Sequence, residues 1–378
     1  MPASGCRHAT VGRGWRVTDL EDSYVKVSRH WTGCETVESM PITRMRIRRS
    51  PFARELAARS IRPLGLRALR STGRPFPAGQ GLRPSAFRTL VFLALLASAS
   101  AEELVVPGGL IDIEFVAAPS ATWRSVALKW TENSARALSK YYGKFPVPRT
   151  KLRITSCGGT QPRDGVAYGW RGPLITISLG RDATEATLRD DWELTHEMVH
   201  LALPSLPDPH HWLEEGLATY VEPIARARAL ILPPEQAWAD LVNGLPQGQP
   251  EAGDRGLDRT PTWGRTYWGG ALFCLRADVA IRQRTGNRLG LEHALRSILA
   301  AGGSIDHDWT IGQVIEVADQ AVGVSVLHEL YDEMGSKPVK VDLGSLWHQL
   351  GIKRQGKTVV FDDTAPLANL RKAITASQ

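Results

Sequence analysis

The chain has 378 residues, 46 Lys and Arg against 39 Asp and Glu, and four cysteines. That length holds one large domain or two ordinary ones, and a composition of 43% hydrophobic and 22% charged residues excludes a disordered or fibrous chain. The net charge of +7 sits in the first hundred residues: residues 1–101 hold 17 of the basic and six of the acidic side chains, which leaves 29 basic and 33 acidic in the rest, so no nucleic-acid partner is expected for the body of the chain.

The unbroken apolar run from Leu90 to Ala97 follows Arg83 and Arg88 and precedes Ser98-Ala-Ser-Ala101. A basic flank, a short apolar core and small residues at Ala99 and Ala101 read as a signal peptide over 88–101, cleaved after Ala101. The run is far short of the ~20 residues of a membrane span, so no stable membrane anchor is expected. Export places the protein outside the cell or in a periplasm. Residues 1–87 show no sustained periodicity, and 16 of the 17 basic residues in 1–101 are arginine. Two readings follow: translation begins just before Arg88 and 1–87 is not native, or 1–87 is a disordered basic extension. Of the cysteines, Cys157 and Cys274 lie in the exported part, either as one disulfide or as two buried thiols.

From Glu102 to Pro119, apolar and polar residues alternate as in a strand. Ala121 to Tyr142 carries Trp123, Val126, Ala127, Trp130, Ala135 and Leu138 at helical spacing and stops before Gly143. A strand is expected over Lys151–Thr155, then a hairpin of 165–170 and 173–179 about Arg171-Gly172. Asp182 and Glu185 are spaced as a capping box, which predicts a helix from there to about Leu203, stopped by Pro204. A second helix is expected over 212–230, an unpatterned Gly/Pro-rich functional loop over about 245–266, helices over 267–335, and a tail with one strand at Lys357–Phe361. Strands first and helices after give the α+β class.

His196-Glu-Met-Val-His200 carries the chemistry. Two histidines at i and i+4 project from one face of a helix and can share one zinc ion, with Glu197 beside them to act on a metal-activated water. Two histidines and a glutamate on an ordinary amphipathic helix are the plain alternative. A hydrolytic zinc needs a third protein ligand and an open position. Leu203 and Leu206 occupy the places where a longer motif on the same helix would put a glycine and a third histidine. Instead Trp212-Leu-Glu-Glu-Gly-Leu-Ala-Thr-Tyr220 follows a short proline-rich turn, which returns a second helix, with its carboxylates, alongside the first.

HEMVH followed by WLEEGLATY resembles the gluzincin metallopeptidases, in particular the short-loop branch with the peptidase MA-like and glycyl aminopeptidase-like proteins. The resemblance extends from about Phe145 to the C-terminus and is densest between 190 and 290. It implies a zincin-like fold: a small N-terminal sheet lobe (102–181) packed on a mainly helical lobe (182–378). It makes Glu215, the glutamate before the glycine, the third zinc ligand, with Glu214 as the competitor. Glu222, two turns on, is either a partner that orients a zinc-bound histidine or a solvated helix end. Arg265-Thr-Tyr267-Trp-Gly-Gly270 matches a Tyr-x-x-Gly that opens a helix, so Tyr267 is expected to donate to the oxyanion; a simply packed aromatic is the alternative. Gly269 stands where a lysine is often seen. Gly165-Val-Ala-Tyr-Gly169 falls where an edge strand pairs with substrate, but Ala167 and Tyr168 lack the acid that grips a free N-terminus in aminopeptidases. His210 and His211 can bind substrate, support the site, cap the helix or face water.

The expected activity is zinc-dependent peptide-bond hydrolysis with one Zn2+ per chain. His196, His200 and Glu215 are its ligands, Glu197 its general base, and Tyr267 its oxyanion donor. The substrate is a peptide or protein. The competing expectations are a non-catalytic zinc-binding structural or interaction protein, and an amidase or cell-wall peptide hydrolase. Oligomeric state is not readable from the sequence.

Overall fold

The computed structural model describes residues 102–377. The expected signal peptide and N-terminal extension lie outside the described residues. Within them, no helix is long and apolar enough to cross a membrane. The architecture is α+β, a small N-terminal sheet followed by a mostly helical remainder.

Strands β1 (Glu102–Val106) and β2 (Gly109–Val116) form a hairpin where the alternation predicted one strand. Pro107-Gly108 makes the turn: proline presets the backbone for the first corner, and Gly108 takes the left-handed conformation (φ 87°) at the second. Helix α1 (Ala121–Tyr142) spans the expected residues, capped by Ser120, whose hydroxyl accepts the Trp123 N–H at 3.1 Å. It carries the chain over to β3 (Arg149–Cys157), parallel to β2. Next come β4 (Pro162–Tyr168) and β5 (Leu174–Gly180), the expected hairpin. The sheet order is β1-β2-β3-β5-β4, which leaves β4 on the edge. Ile111, Ile113, Leu152, Ile154, Ile175 and Ile177 alternate inward along the three central strands and are fully buried in the main core.

The helix expected from Asp182 begins eleven residues later, as α2 (Glu193–His200). Thr184 and Thr187 exchange side-chain to backbone hydrogen bonds at 2.9 and 3.2 Å, a local turn that competes with helix. Asp191 then anchors the helix start: one oxygen accepts the Glu193 N–H at 3.2 Å and the other the Trp130 indole at 2.7 Å. Helix α3 (His211–Arg228) matches its predicted span within two residues, and α4 (Pro234–Gly244) follows. The 245–266 segment contains two short 3-10 turns, at Leu245–Gly248 and Leu257–Arg259. A π-turn (Arg265–Gly269) leads into α5 (Gly270–Arg284), then α6 (Leu291–Ala300), α7 (Ile311–Val322) and α8 (Val326–Met334). The tail holds more than its one expected strand: α9 (Leu343–Leu350), a hairpin of β6 (Ile352–Gln355) and β7 (Thr358–Phe361), and α10 (Ala368–Thr375). Cys157 and Cys274 are free thiols.

Two glycines set how closely α3 and α5 cross. A Cβ on Gly216 would stand 2.3 Å from Gly270 Cα, and one on Gly270 would stand 2.1 Å from the Trp212 carbonyl oxygen. Only backbone fits there. This contact brings Glu215, the residue before Gly216, and Tyr267, three residues before Gly270, into one place.

Candidate metal centre

Helix α2 lies between the sheet and the helical part, packed on β4 on one side and α3 on the other. His196 and His200, one turn apart, turn their rings to the same face with centroids 5.1 Å apart. Glu215, in the second turn of α3, completes the group: one donor atom from each of the three residues lies within 4.8 Å of the others. Glu215 Oε2 is 3.3 Å from His196 Nε2 and 3.6 Å from His200 Nε2. Ligand atoms about 2.1 Å from a tetrahedral zinc stand roughly 3.4 Å from one another, so two imidazole nitrogens and a carboxylate oxygen at these separations fit such an ion. Among the described residues this is the one His/Cys/Asp/Glu group so arranged.

The electrostatics fit a cation as well. Burial works to raise the Glu215 carboxyl, but the charge of His200 and hydrogen bonds from His196, His200 and His211 hold it well below the usual carboxylate range. For His200, burial opposes the charged form and the neighbouring carboxylates, Glu215 first, outweigh it, so its pKa is raised.

Glu197 is buried on the same helix between the two histidines, and its side chain borders β4. The register slips between Arg163 and Val166, a bulge that frees the Gly165 N–H from the ladder. Glu193 accepts that N–H at 2.8 Å. Burial first, and then Asp191, Glu197 and Asp164, push the Glu193 carboxyl up to about 7 against the Gly165 hydrogen bond. Glu193 was not among the sequence candidates, although its place one turn before Glu197 puts both on one helical face.

Tyr267 also arrives here. Its ring stacks 6.3 Å from that of His196, and its hydroxyl is hydrogen-bonded to Glu215. Burial and the Glu215 and Glu197 charges push its pKa well above the usual phenol range, so it is neutral at pH 7. Half-exposed tryptophans border the group: Trp192 packs edge-on to His196 at 5.5 Å, and Trp263 stacks on Tyr267 at 5.9 Å.

Other candidates lie elsewhere or play other parts. Glu214 turns away from the cluster to the Leu206 N–H (3.0 Å) and His211 (2.7 Å). Glu222 is neither a solvated helix end nor at the histidines: it is buried and accepts from Arg226 at 2.7 Å. His210 binds Asp258, which also accepts the Trp212 indole N–H and the Tyr331 hydroxyl, each at 2.8 Å. His211 bridges Glu214 and Glu215. Burial opposes its charge, but those two carboxylates outweigh it and push its pKa up to about 9. The i+3 and i+4 spacing from His211 to the glutamate pair was the available signal for this contact.

No family model matches the chain, and no curated protein matches it. Solved structures of M1 zinc metallopeptidases resemble it. The aminopeptidase N family protein from Idiomarina loihiensis is 14% identical, with a TM-score of 0.49 over 68% of this chain and 50% of that one. The M1 zinc metallopeptidase from Deinococcus radiodurans is 18% identical, with a TM-score of 0.44 over 64% of this chain and 52% of that one. A mutant of the latter bound to a Tyr-Ser-Ala substrate gives 18% identity and a TM-score of 0.42, over the same shares. The chain spans about half the length of the structures it matches.

Proposed function

We propose that the protein is an exported, gluzincin-like zinc peptidase that hydrolyses peptide bonds. The observation that carries the reading is the convergence of His196, His200 and Glu215 from two helices, with Glu197 between the histidines and Tyr267 over the same group. A purely structural metal site has no use for a buried carboxylate and a neutral phenol at its open side.

A zinc ion held by the three donors supplies a Lewis acid that brings the pKa of water near neutrality and polarises the scissile carbonyl. The chain's own groups do the rest. Glu197 takes a proton from the attacking water and later delivers it to the leaving amine. Tyr267 donates its hydroxyl hydrogen to the oxygen on which negative charge develops, as a phenol neutral at pH 7 can. β4 lies on the edge of the sheet, and its outer side would offer backbone groups to an extended peptide. The buried setting of Glu197 shields the developing charges from water.

The test is zinc content and hydrolysis of a fluorogenic peptide library, measured on the purified protein, on Glu197→Gln and on Glu215→Ala. One zinc per chain in the wild type and in E197Q, hydrolysis by the wild type alone, and loss of zinc in E215A are expected. A folded wild type that takes up no zinc would remove the reading. Zinc uptake with no cleavage of any library peptide would leave the metal centre and remove the peptidase.

A further inference from the structure

Helix α3 opens with a side chain for which the peptidase reading has no use. The His211 ring faces two carboxylates at once: Nδ1 lies 2.7 Å from Glu214 Oε2, and Nε2 lies 3.1 Å from Glu215 Oε1. The contacts continue in both directions. Glu214 Oε1 accepts the Leu206 N–H at 3.0 Å, in the turn between α2 and α3. Glu215 Oε2 lies at the two imidazoles of α2. The two oxygens of Glu215 are therefore divided, one turned to the cluster and one held by His211.

That division matters because the terminal torsion of a glutamate is broad and does not by itself choose where its oxygens point. A partner on Oε1 narrows that freedom, alongside the Tyr267 hydroxyl that also bonds Glu215, and favours Oε2 facing the histidines. The partner itself must be fixed, and Glu214 does this: tied to the backbone of the turn, it sets the angle of the imidazole. We propose that His211, braced by Glu214, is the positioning residue for the third metal ligand. The proposal rests on the metal-centre reading above. It gives the adjacent glutamates different work, Glu215 binding the ion and Glu214 orienting the ring that orients Glu215. Groups that hydrogen-bond to metal ligands in this way change metal affinity about 10- to 100-fold when removed.

The test measures zinc dissociation constants by chelator competition, and the absorption spectrum of the cobalt(II)-loaded protein, for the wild type, His211→Ala, His211→Gln, Glu214→Ala and the H211A/E214A double variant. H211A takes a partner from the buried Glu215 carboxylate, so its apo form should stay folded but melt below the wild type, and apo melts accompany each affinity. H211A should bind zinc about 10- to 100-fold more weakly, with an altered cobalt spectrum. H211Q, which keeps an N–H for Glu215, should recover most of the affinity. E214A should bind more weakly than the wild type, and the double variant no worse than H211A alone, because Glu214 acts through the ring. Wild-type affinity and spectrum in H211A, or fully additive losses in the double variant, would overturn the proposal while leaving the metal centre standing. A wild type that binds neither metal would overturn both.

Discussion

Gly165→Ala adds one methyl group at the meeting of the edge strand and the proposed base. An ideal Cβ at 165 would stand 2.8 Å from Glu197 Cγ and 3.2 Å from Oε1 of both Glu193 and Glu197. Non-bonded carbons rest at about 3.5–4.0 Å, so the overlap is roughly 0.7–1.2 Å. The strand cannot easily withdraw: β4 is paired to β5 on both sides of the bulge, and the Gly165 N–H is held by Glu193. Helix α2 cannot withdraw either, since Leu194, Met198 and Val199 are buried in the core. What gives is the Glu197 side chain. A misplacement of about 1 Å at a catalytic group costs about 100-fold in rate, about 2.7 kcal/mol of barrier. The cost in stability should be near the lower end of the ~1–3 kcal/mol typical of overpacking. Zinc content should match the wild type, because none of the metal donors is touched. The assay is kcat/KM on the best peptide from the library, alongside metal analysis and a thermal melt. If G165A is folded, zinc-loaded and within threefold of wild-type kcat/KM while E197Q is inactive, the assignment of Glu197 as a closely held base against the edge strand is refuted.

Two further outcomes are expected. Tyr267→Phe removes the proposed oxyanion donor and should lower kcat by about 100- to 1000-fold with zinc retained and KM little changed; an unchanged kcat would reduce Tyr267 to a packed aromatic. Asp258→Ala leaves the Trp212 indole, the Tyr331 hydroxyl and His210 without their shared acceptor. It should cost roughly 2–4 kcal/mol in urea unfolding, and a loss under 0.5 kcal/mol would mean that this pin on the 245–266 segment carries little.

The legible parts of the fold and of the site were those governed by spacing along one element. The i, i+4 histidines, the length of α1, and the hairpin about Arg171-Gly172 depend only on helical and strand periods and on turn residues, which a sequence displays directly. The Pro107-Gly108 turn was equally local and was overlooked, because the alternation of residues 102–116 continues through it. The start of α2 was of another kind. Asp182 and Glu185 had the right spacing for a cap, but the anchor at Asp191 depends on the Trp130 indole, 61 positions earlier in the chain. The division of labour between Glu214 and Glu215 was hidden for a similar reason, since it depends on which one meets the α2 histidines and which meets the backbone of Leu206.

The site is assembled from four separate segments, and their approaches are set largely by backbone rather than by a large side chain. The connection from α2 to α3 is tied down where Ser205 exchanges backbone hydrogen bonds of 2.8 and 3.1 Å with His307 and Trp309, and where the Leu206 N–H meets Glu214. Those contacts fix the offset of α3 along α2, which decides that Glu215 and not Glu214 faces the histidines. Gly216 against Gly270 then sets the distance from α3 to α5 and, with it, the reach of Tyr267. The bulge at Asp164 and Gly165 brings the edge strand onto Glu197 in the same manner. The proposed chemistry therefore needs a glycine near each of its residues: Glu215 with Gly216, Tyr267 with Gly270, and Glu197 with Gly165 each depend on a place where any side chain would hold two elements apart.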